Sequence, residues 1–514
     1  MGYHAALALE TLRLTEPMGM WETAYASVAR NWPDQYQWGH FVLGHDNYGP
    51  GYPAFCRPFL WLVGDVYVAS RLANLVCLAA ACFLLASLLR AVRCPRYATC
   101  GLVAVLFGLN AGSYSLQARP DFLVLFLILA ALGVGQQVVL GRIRPGAAGL
   151  LLGALTLAGY LTKPYALFGW GGAVAGILVL RGPRAALAVG GTGGLLCAAG
   201  VALFARFNPL YVLETFDANL AHMSLDLGWL VHQSSDFGIL AFWPLLGSLA
   251  AVVLLARSDP TNPGEPEASQ AARPFTTYWA LVAALALALL GLRLGWHTGA
   301  YLTYFMHLAL APLCLCSASV FLPRSAKPVP LAAQLALLVN LSVILFQAPK
   351  LPLPDPAWDS LRGDILRQKG PVVLDFLMEP LSRERPGAIL ADTGIVRFAM
   401  DEAGTITRPT PALVRARQEV AAFAREETAA FGDLGAATLY LQCTEAPVEG
   451  GAATLRLQNG LPWFAGDFLK GYTSIRTFRI HPYYFETNGR RASAGRWEVL
   501  VVKFVRKAEP AGPR

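Results

Sequence analysis

Between residues 66 and 346 the chain alternates long apolar runs with short polar breaks. A helix needs about 20 mostly apolar residues to cross a bilayer. Ten runs approach or exceed that length: Val66–Val92, Tyr97–Leu116, Pro120–Leu140, Gly146–Leu161, Pro164–Leu180, Ala185–Phe204, Ile239–Leu255, Phe275–Leu292, Ala300–Leu322 and Pro330–Phe346. The fourth and fifth form a tight pair around Thr162, Lys163 and Pro164. Ala185–Phe204 is Gly-rich, which predicts close helix packing. The N-terminal GYHAALALETLRLT is too short and mixed for a span and lacks a signal-peptide pattern. It is read either as the tail of a first span or as a short interfacial helix. The predicted fold is an α-helical polytopic membrane protein with about ten or eleven transmembrane helices.

After Lys350 the pattern changes. Pro352, Pro354 and Pro356 read as a linker, and charged residues return beyond it. Pro371–Leu377, Gly387–Ala391, Ala437–Gln442, Arg476–Ile480 and Trp497–Phe504 have strand character. Leu413–Phe431 has helical spacing with charged faces. The predicted organisation is an N-terminal segment and first loop over 1–65, a helix bundle over 66–348 and a soluble α/β domain over 349–514. The acids and bases of that last domain show no catalytic spacing, so a supporting or binding role is expected of it.

Composition agrees with the pattern. The chain is 55% hydrophobic and 14% charged, against about 25% charged in a soluble domain. Its net charge is +8, but the basic residues sit between apolar runs rather than in a tract with interleaved aromatics, so nucleic acid is not an expected partner. Arg90, Arg93 and Arg96, then Arg142 and Arg144, Arg181 and Arg184, Arg257 and Arg273, and finally Arg324 and Lys327 fall in every second loop. The positive-inside rule makes those loops cytoplasmic. Ten spans then place both the first loop and the C-terminal domain on the non-cytoplasmic side. The Pro/Glu/Ser-rich stretch 258–274 reads as a flexible cytoplasmic linker. The nine Cys lie mostly in apolar runs without a CxxC pair, which reads as helix packing rather than a disulfide framework.

Candidate chemistry gathers in the outer loops. The stretch Met18–Pro53 is polar and aromatic and ends in the Gly/Pro cluster NYGPGYP. WETAYASVARNW within it has the spacing of a short helix on the membrane surface, with Glu22 in its first turn. Glu22 is either a carboxylate that suits the helix dipole or, partly desolvated beside Trp21 and Tyr25, a general base of raised basicity. ARPD (Ala118–Asp121) stands at the outer mouth of a span, where Arg119 and Asp121 read as a cap and anchor or as a binding pair. YLTKPYALFGW holds Lys163 between two spans, as an interfacial anchor or as a partner for an anionic head group. GLRLGWHTGAYLTYFMHL puts Arg293 and His297 at an external turn and His307 inside the next span.

In their order along the chain, WETAY, YGPGYP, ARPD, LTKP and GAYLTYF resemble the GT-C glycosyltransferases. The nearest resemblance is to the bacterial family 39-like proteins, relatives of protein O-mannosyltransferases and of lipid A aminoarabinose transferases. It covers roughly residues 16–325. It implies an inverting glycosyltransferase of the bacterial inner (plasma) membrane that serves cell-envelope glycan synthesis. The sugar would pass from a polyprenyl phosphate to a glycan, lipid or protein acceptor at the outer face of the bilayer. Glu22 would be the base, with Asp46 and Asp34 as rivals, because Trp21 stands where many relatives have a second acid. Lys163, Arg119 and Arg293 would bind the donor phosphate, and Tyr25, Tyr48 and His297 the substrate. No metal site or cofactor is implied; a divalent ion could serve the leaving phosphate, and Arg and Lys can replace it. The competing expectations are a flippase for lipid-linked saccharides and a non-catalytic membrane subunit. Convergence of Glu22, Lys163 and Arg119 on one external cavity would separate these.

Overall fold

A computed structural model of the chain describes residues 2–14, 22, 26, 29–30, 49–111, 119–207, 237–257, 267–292, 305–322, 331–348, 355–375, 378–391, 438–443, 471–480, 483–486, 493–496 and 499–507. Helix α1 (Gly2–Arg13) is followed by α2 (Gly51–Val63), α3 (Val66–Ala91), α4 (Arg96–Ala111), α5 (Asp121–Val139) and α6 (Pro145–Tyr160). A 3-10 turn at Pro164–Ala166 leads into α7 (Leu167–Arg181), then α8 (Pro183–Phe207), α9 (Phe242–Arg257) and α10 (Glu267–Leu292). A π-helical turn, Phe305–Leu310, opens α11 (Ala311–Ala318), and α12 (Leu331–Phe346) closes the bundle. Each of the ten apolar runs overlaps one of these helices. Among the described residues, five helical segments are long and apolar enough to cross a membrane, and five shorter apolar ones accompany them. The protein is a helical polytopic membrane protein.

One departure from the sequence reading concerns the end of the first loop. The Gly/Pro cluster opens a 13-residue helix, α2, that runs through Pro58. It ends at Gly64, whose φ of +78° lets its N–H reach back to Leu60 O at 2.8 Å. Asp65 then caps α3, its Oδ1 accepting from the amides of Tyr67 and Val68 at 2.9 Å. Helix α1, read as a span's tail or an interfacial helix, has one face inside the bundle while Tyr3 and Leu9 are exposed. It buries His4, Leu7, Ala8 and Thr11 and packs against α3 and α4.

The Gly-rich expectation is met between α6 and α8. A Cβ on Gly153 would stand 2.9 Å from Gly193 O, and one on Gly149 3.1 Å from Ala188 O, so the two backbones touch. Across the bundle, Tyr278 on α10 donates to Leu132 O at 2.7 Å, and Trp279 Nε1 donates to Gln136 Oε1 at 2.8 Å. Outward-facing Phe83, Leu187, Leu195, Leu338 and Phe346 present the apolar surface that lipid requires.

The C-terminal part has its own core. The linker expectation gives way at Pro356, the first residue of helix α13 (Pro356–Arg367), because Asp355 caps it by accepting from Ala357 N at 3.0 Å. Strands β1 (Val372–Asp375), β2 (Ile389–Ala391), β3 (Thr438–Cys443), β4 (Tyr472–Ile480) and β7 (Val499–Arg506) form one sheet in the order β2-β1-β3-β7-β4. β1 is parallel to β2 and β3, and β7 is antiparallel to β3 and β4. All five lie where strand character was read. A short helix α14 (Glu379–Glu384) joins β1 to β2, and β5 (Tyr483–Glu486) pairs with β6 (Ser493–Arg496). Trp358, Leu361 and Ile365 form the buried stripe of α13, in one core with Val372, Tyr440, Phe478 and Val501. The predicted helix Leu413–Phe431 lies outside the described residues.

Candidate functional site

Two buried charge clusters stand among the described residues of the bundle. The first joins the start of the first loop to α3. Residues 22, 26, 29 and 30 are helical, as the spacing predicted, and Glu22, Ala26 and Ala29 are buried. Arg71, one turn into α3, donates Nε to Glu22 Oε1 at 2.8 Å and Nη2 to Glu22 Oε2 at 2.7 Å. Its Nη1 donates to the carbonyls of Thr11 at 3.0 Å and Leu14 at 2.6 Å. Those carbonyls end α1, where helical partners run out and a cation suits the dipole. One guanidinium therefore ties α1, the first loop and α3 together.

This corrects the expectation for Glu22. It is not partly exposed at the lipid boundary: both Glu22 and Arg71 are fully buried, and both carboxylate oxygens accept from Arg71. A bidentate partner fixes a carboxylate and takes one acceptor site on each of its oxygens.

The second cluster lies where α5 begins and the α6–α7 turn closes. Lys163 Nζ donates to Asp121 Oδ1 at 2.6 Å, and Arg119 Nε stands 3.2 Å from Asp121 Oδ2. All three are buried. Asp121 is not a helix cap: Pro120 holds the N-cap position and makes no side-chain cap bond. Lys163 is not a surface anchor either, since only 3% of it is exposed. Its ammonium also sits 5.1 Å from the centre of the Tyr165 ring, a cation–π contact.

The local backbone explains how this cluster forms. Lys163 is extended, with φ −163° and ψ 125°, as the residue before a proline prefers. Its N–H still reaches Gly159 O at 2.7 Å, so the side chain leaves the end of α6 and turns toward α5. The first-loop motif abuts the same turn: Gly51 N donates to Leu161 O at 2.8 Å, and a Cβ on Gly51 would fall 2.3 Å from Thr162 Oγ1. The π-helical turn brings His307 alongside. His307 and Tyr165 share a hydrogen bond between Nδ1 and Oη at 3.3 Å, and the imidazole meets Phe122 edge to face.

The segments YGPGYP, ARPD and LTKP thus meet, together with the span that follows GAYLTYF. Lys163 and Arg119 converge on Asp121, whereas Glu22 pairs with Arg71. Tyr25, Asp46, Tyr48, Arg293 and His297 lie outside the described residues. Among the described residues no group of three His, Cys, Asp or Glu gathers to hold a metal. Sequence reasoning passed over Arg71 and gave Asp121 and His307 mainly structural parts. The available signal was the same for all three: an ionisable residue within a membrane helix costs free energy and needs a partner.

No family model matches the chain, and no curated protein matches it. Several solved structures are similar in overall arrangement. The arabinofuranosyltransferase AftD from Mycobacteria is 17% identical with a TM-score of 0.47; the match covers 99% of this chain and 40% of that one. The arabinosyltransferase EmbB from Mycobacterium smegmatis is 13% identical with a TM-score of 0.39, over 88% of this chain and 45% of that one. The archaeal oligosaccharyltransferase AglB from Archaeoglobus fulgidus, solved with an inhibitory peptide and a dolichol-phosphate, is 12% identical with a TM-score of 0.39; the match covers 85% of this chain and 69% of that one. The chain spans about two fifths of the length of AftD. The narrower family 39-like resemblance rests on the motifs alone.

Proposed function

We propose that the protein is a membrane glycosyltransferase that takes a sugar from a polyprenyl phosphate and transfers it with inversion to an acceptor at the extracytoplasmic face. The observation that carries this reading is the buried Arg119–Asp121–Lys163 cluster at the meeting point of three motif segments. Burying such groups without a task is expensive.

A polyprenyl phosphate keeps its tail in lipid and brings its phosphate to a helix end. Lys163 and Arg119 supply the positive charge that steadies the leaving phosphate, and Asp121 holds both side chains in place. Phosphate departs without needing a proton, so one base for the acceptor hydroxyl completes the set, whereas glycosidases use two carboxylates. With Glu22 engaged by Arg71, the first-loop acid proposed for that task is Asp46. Attack from the side opposite the phosphate inverts the anomeric centre. Arg293, Tyr25, Tyr48 and His297 stay in the proposal as further donor and substrate contacts.

The test is incubation of the purified protein with labelled polyprenyl-phosphate pentoses and hexoses and a crude envelope acceptor. Transfer should occur with one of them. Asp46→Asn should cut the rate about 10²–10⁴-fold, the usual weight of a general base, while leaving donor binding intact. A flippase is the second reading, favoured by ionisable groups buried within the bundle. Donor translocation across vesicles without any transferred sugar would decide for it.

A further inference from the structure

The phosphate cluster leaves two buried atoms with chemistry to spare. Asp121 Oδ2 has only the off-line contact with Arg119, and neither it nor His307 Nε2 has a hydrogen-bond partner among the described residues. Both side chains are almost wholly buried, with His307 1% exposed and Asp121 fully enclosed. Lys163 links the two groups, binding Asp121 Oδ1 at 2.6 Å and lying over the ring of Tyr165, which hydrogen-bonds His307, while Phe122, next to Asp121, meets the imidazole edge to face. Buried polar atoms left unpaired in this way are rare and costly, and they mark places where a ligand completes the set.

The tautomer of His307 follows from its neighbours. The Lys163 ammonium over the Tyr165 ring withdraws electron density from the phenol and makes its O–H the stronger donor. We assign Tyr165 Oη as the donor to His307 Nδ1, the arrangement that leaves the imidazole proton on Nε2. The site then offers a donor, His307 Nε2–H, and an acceptor, Asp121 Oδ2, which is ion-paired with Arg119 at 3.2 Å but accepts no hydrogen bond. The π-helical turn strengthens the case, since such turns are rare and re-aim side chains at functional sites. A phosphate oxygen only accepts and would face repulsion from Asp121. A hydroxyl both donates and accepts, and so suits an acceptor and a donor together.

We propose that His307 and Asp121 together bind a hydroxyl of the sugar carried by the lipid phosphate, with Tyr165 positioning the imidazole. The inference rests on the proposed donor site at Lys163 and Arg119, and it gives that site a means to tell a sugar-bearing lipid from the bare carrier.

The experiment compares binding of decaprenyl-phosphate pentoses and hexoses with binding of bare decaprenyl phosphate, in nanodiscs holding the full chain. Three variants are used. In His307→Gln the side-chain amide nitrogen takes the place of Nε2 as donor. His307→Asn keeps only the inner position that faces Tyr165. Lys163→Ala tests the phosphate site. The wild type should prefer one sugar-bearing lipid over the bare lipid. His307→Asn should lose about tenfold to a hundredfold in affinity for that lipid, the cost of one buried hydrogen bond, and nothing for the bare lipid. His307→Gln should keep most of the preference. Lys163→Ala should weaken both lipids.

If His307→Asn keeps the preference and His307→Gln loses it, the imidazole serves Tyr165 alone and the inference fails while the donor site stands. If the wild type binds every sugar-bearing lipid no better than the bare one, the inference fails in the same way. If Lys163→Ala leaves both affinities unchanged, the donor site itself is misplaced and the inference falls with it.

Discussion

At the scale of single residues the energetics turn on what a buried charge is given as a partner. Arg71 receives one carboxylate and two helix-end carbonyls, and removing one member of such a buried pair typically costs about 3–5 kcal/mol. Arg71→Met should therefore lower the unfolding temperature of the detergent-solubilised protein sharply, because it strands Glu22. The double variant Arg71→Met with Glu22→Gln should recover part of the loss. Equal destabilisation by the single and double variants would show that the pair contributes nothing as a pair. Glu22→Gln alone should reduce turnover and stability together, unlike Asp46→Asn, which should reduce turnover only.

Asp364 in the C-terminal domain is the other well-partnered acid. Burial pushes its carboxyl up, but hydrogen bonds from Tyr440 at 2.5 Å and Lys503 at 2.9 Å, with the charges of Lys503 and Arg476, hold it below the usual carboxylate range. An acid whose folded pKa is depressed stabilises the fold above its unfolded value of about 3.9, and that contribution fades as pH falls through the folded value. Hydrogen-exchange protection of β1, β3 and β7 in the full chain, corrected for intrinsic exchange, should drop below about pH 4 in the wild type. Asp364→Asn should be less protected at neutral pH and flatter across that window. The same acid response in both proteins would assign the acid loss to other groups.

At the scale of elements, legibility followed the type of signal. Each of the ten apolar runs overlaps a helix and each of the five strand patterns overlaps a strand, because lipid and a sheet core both demand long, regular patterns. Helix α2 was missed because the Gly/Pro cluster NYGPGYP, with Gly51 and Pro53, read as a turn, whereas the helix it opens is punctuated at Gly64. Helix α13 was missed because Pro356 at its first position looked like linker composition. The site was half legible. Lys163 and Arg119 were singled out by position, but their meeting on Asp121 depends on the extended backbone at Lys163, which no spacing rule encodes.

The contact between α2 and the α6–α7 turn gives an element-scale prediction. Gly51→Ala should push Thr162 and displace Lys163, weakening binding of a polyprenyl phosphate although residue 51 carries no charge. Adding Thr162→Ala should restore part of that binding, since Thr162 Oγ1 is the nearest obstacle at 2.3 Å. Unaltered binding in Gly51→Ala would uncouple the first-loop motif from the site.

At the scale of the whole molecule the account requires the donor site and the C-terminal sheet to share the non-cytoplasmic side. That orientation is proposed from the alternation of Arg-rich loops and the even number of spans. In a background without native cysteines, Glu445→Cys should react with an impermeant maleimide in intact cells and Glu265→Cys should not. The reverse pattern would overturn the topology and remove the proposed site from the outer leaflet.

The central claim is that a lipid phosphate docks against Arg119 and Lys163. A polyprenyl phosphate carrying a photoreactive group beside the phosphate, cross-linked in nanodiscs and mapped by mass spectrometry, tests it most directly. The account predicts labelling concentrated in residues 119–123 and 161–165, competed by unlabelled polyprenyl phosphate and lost in Lys163→Ala. Labelling confined to the lipid-facing surfaces of α8 and α12, and indifferent to that substitution, would contradict it.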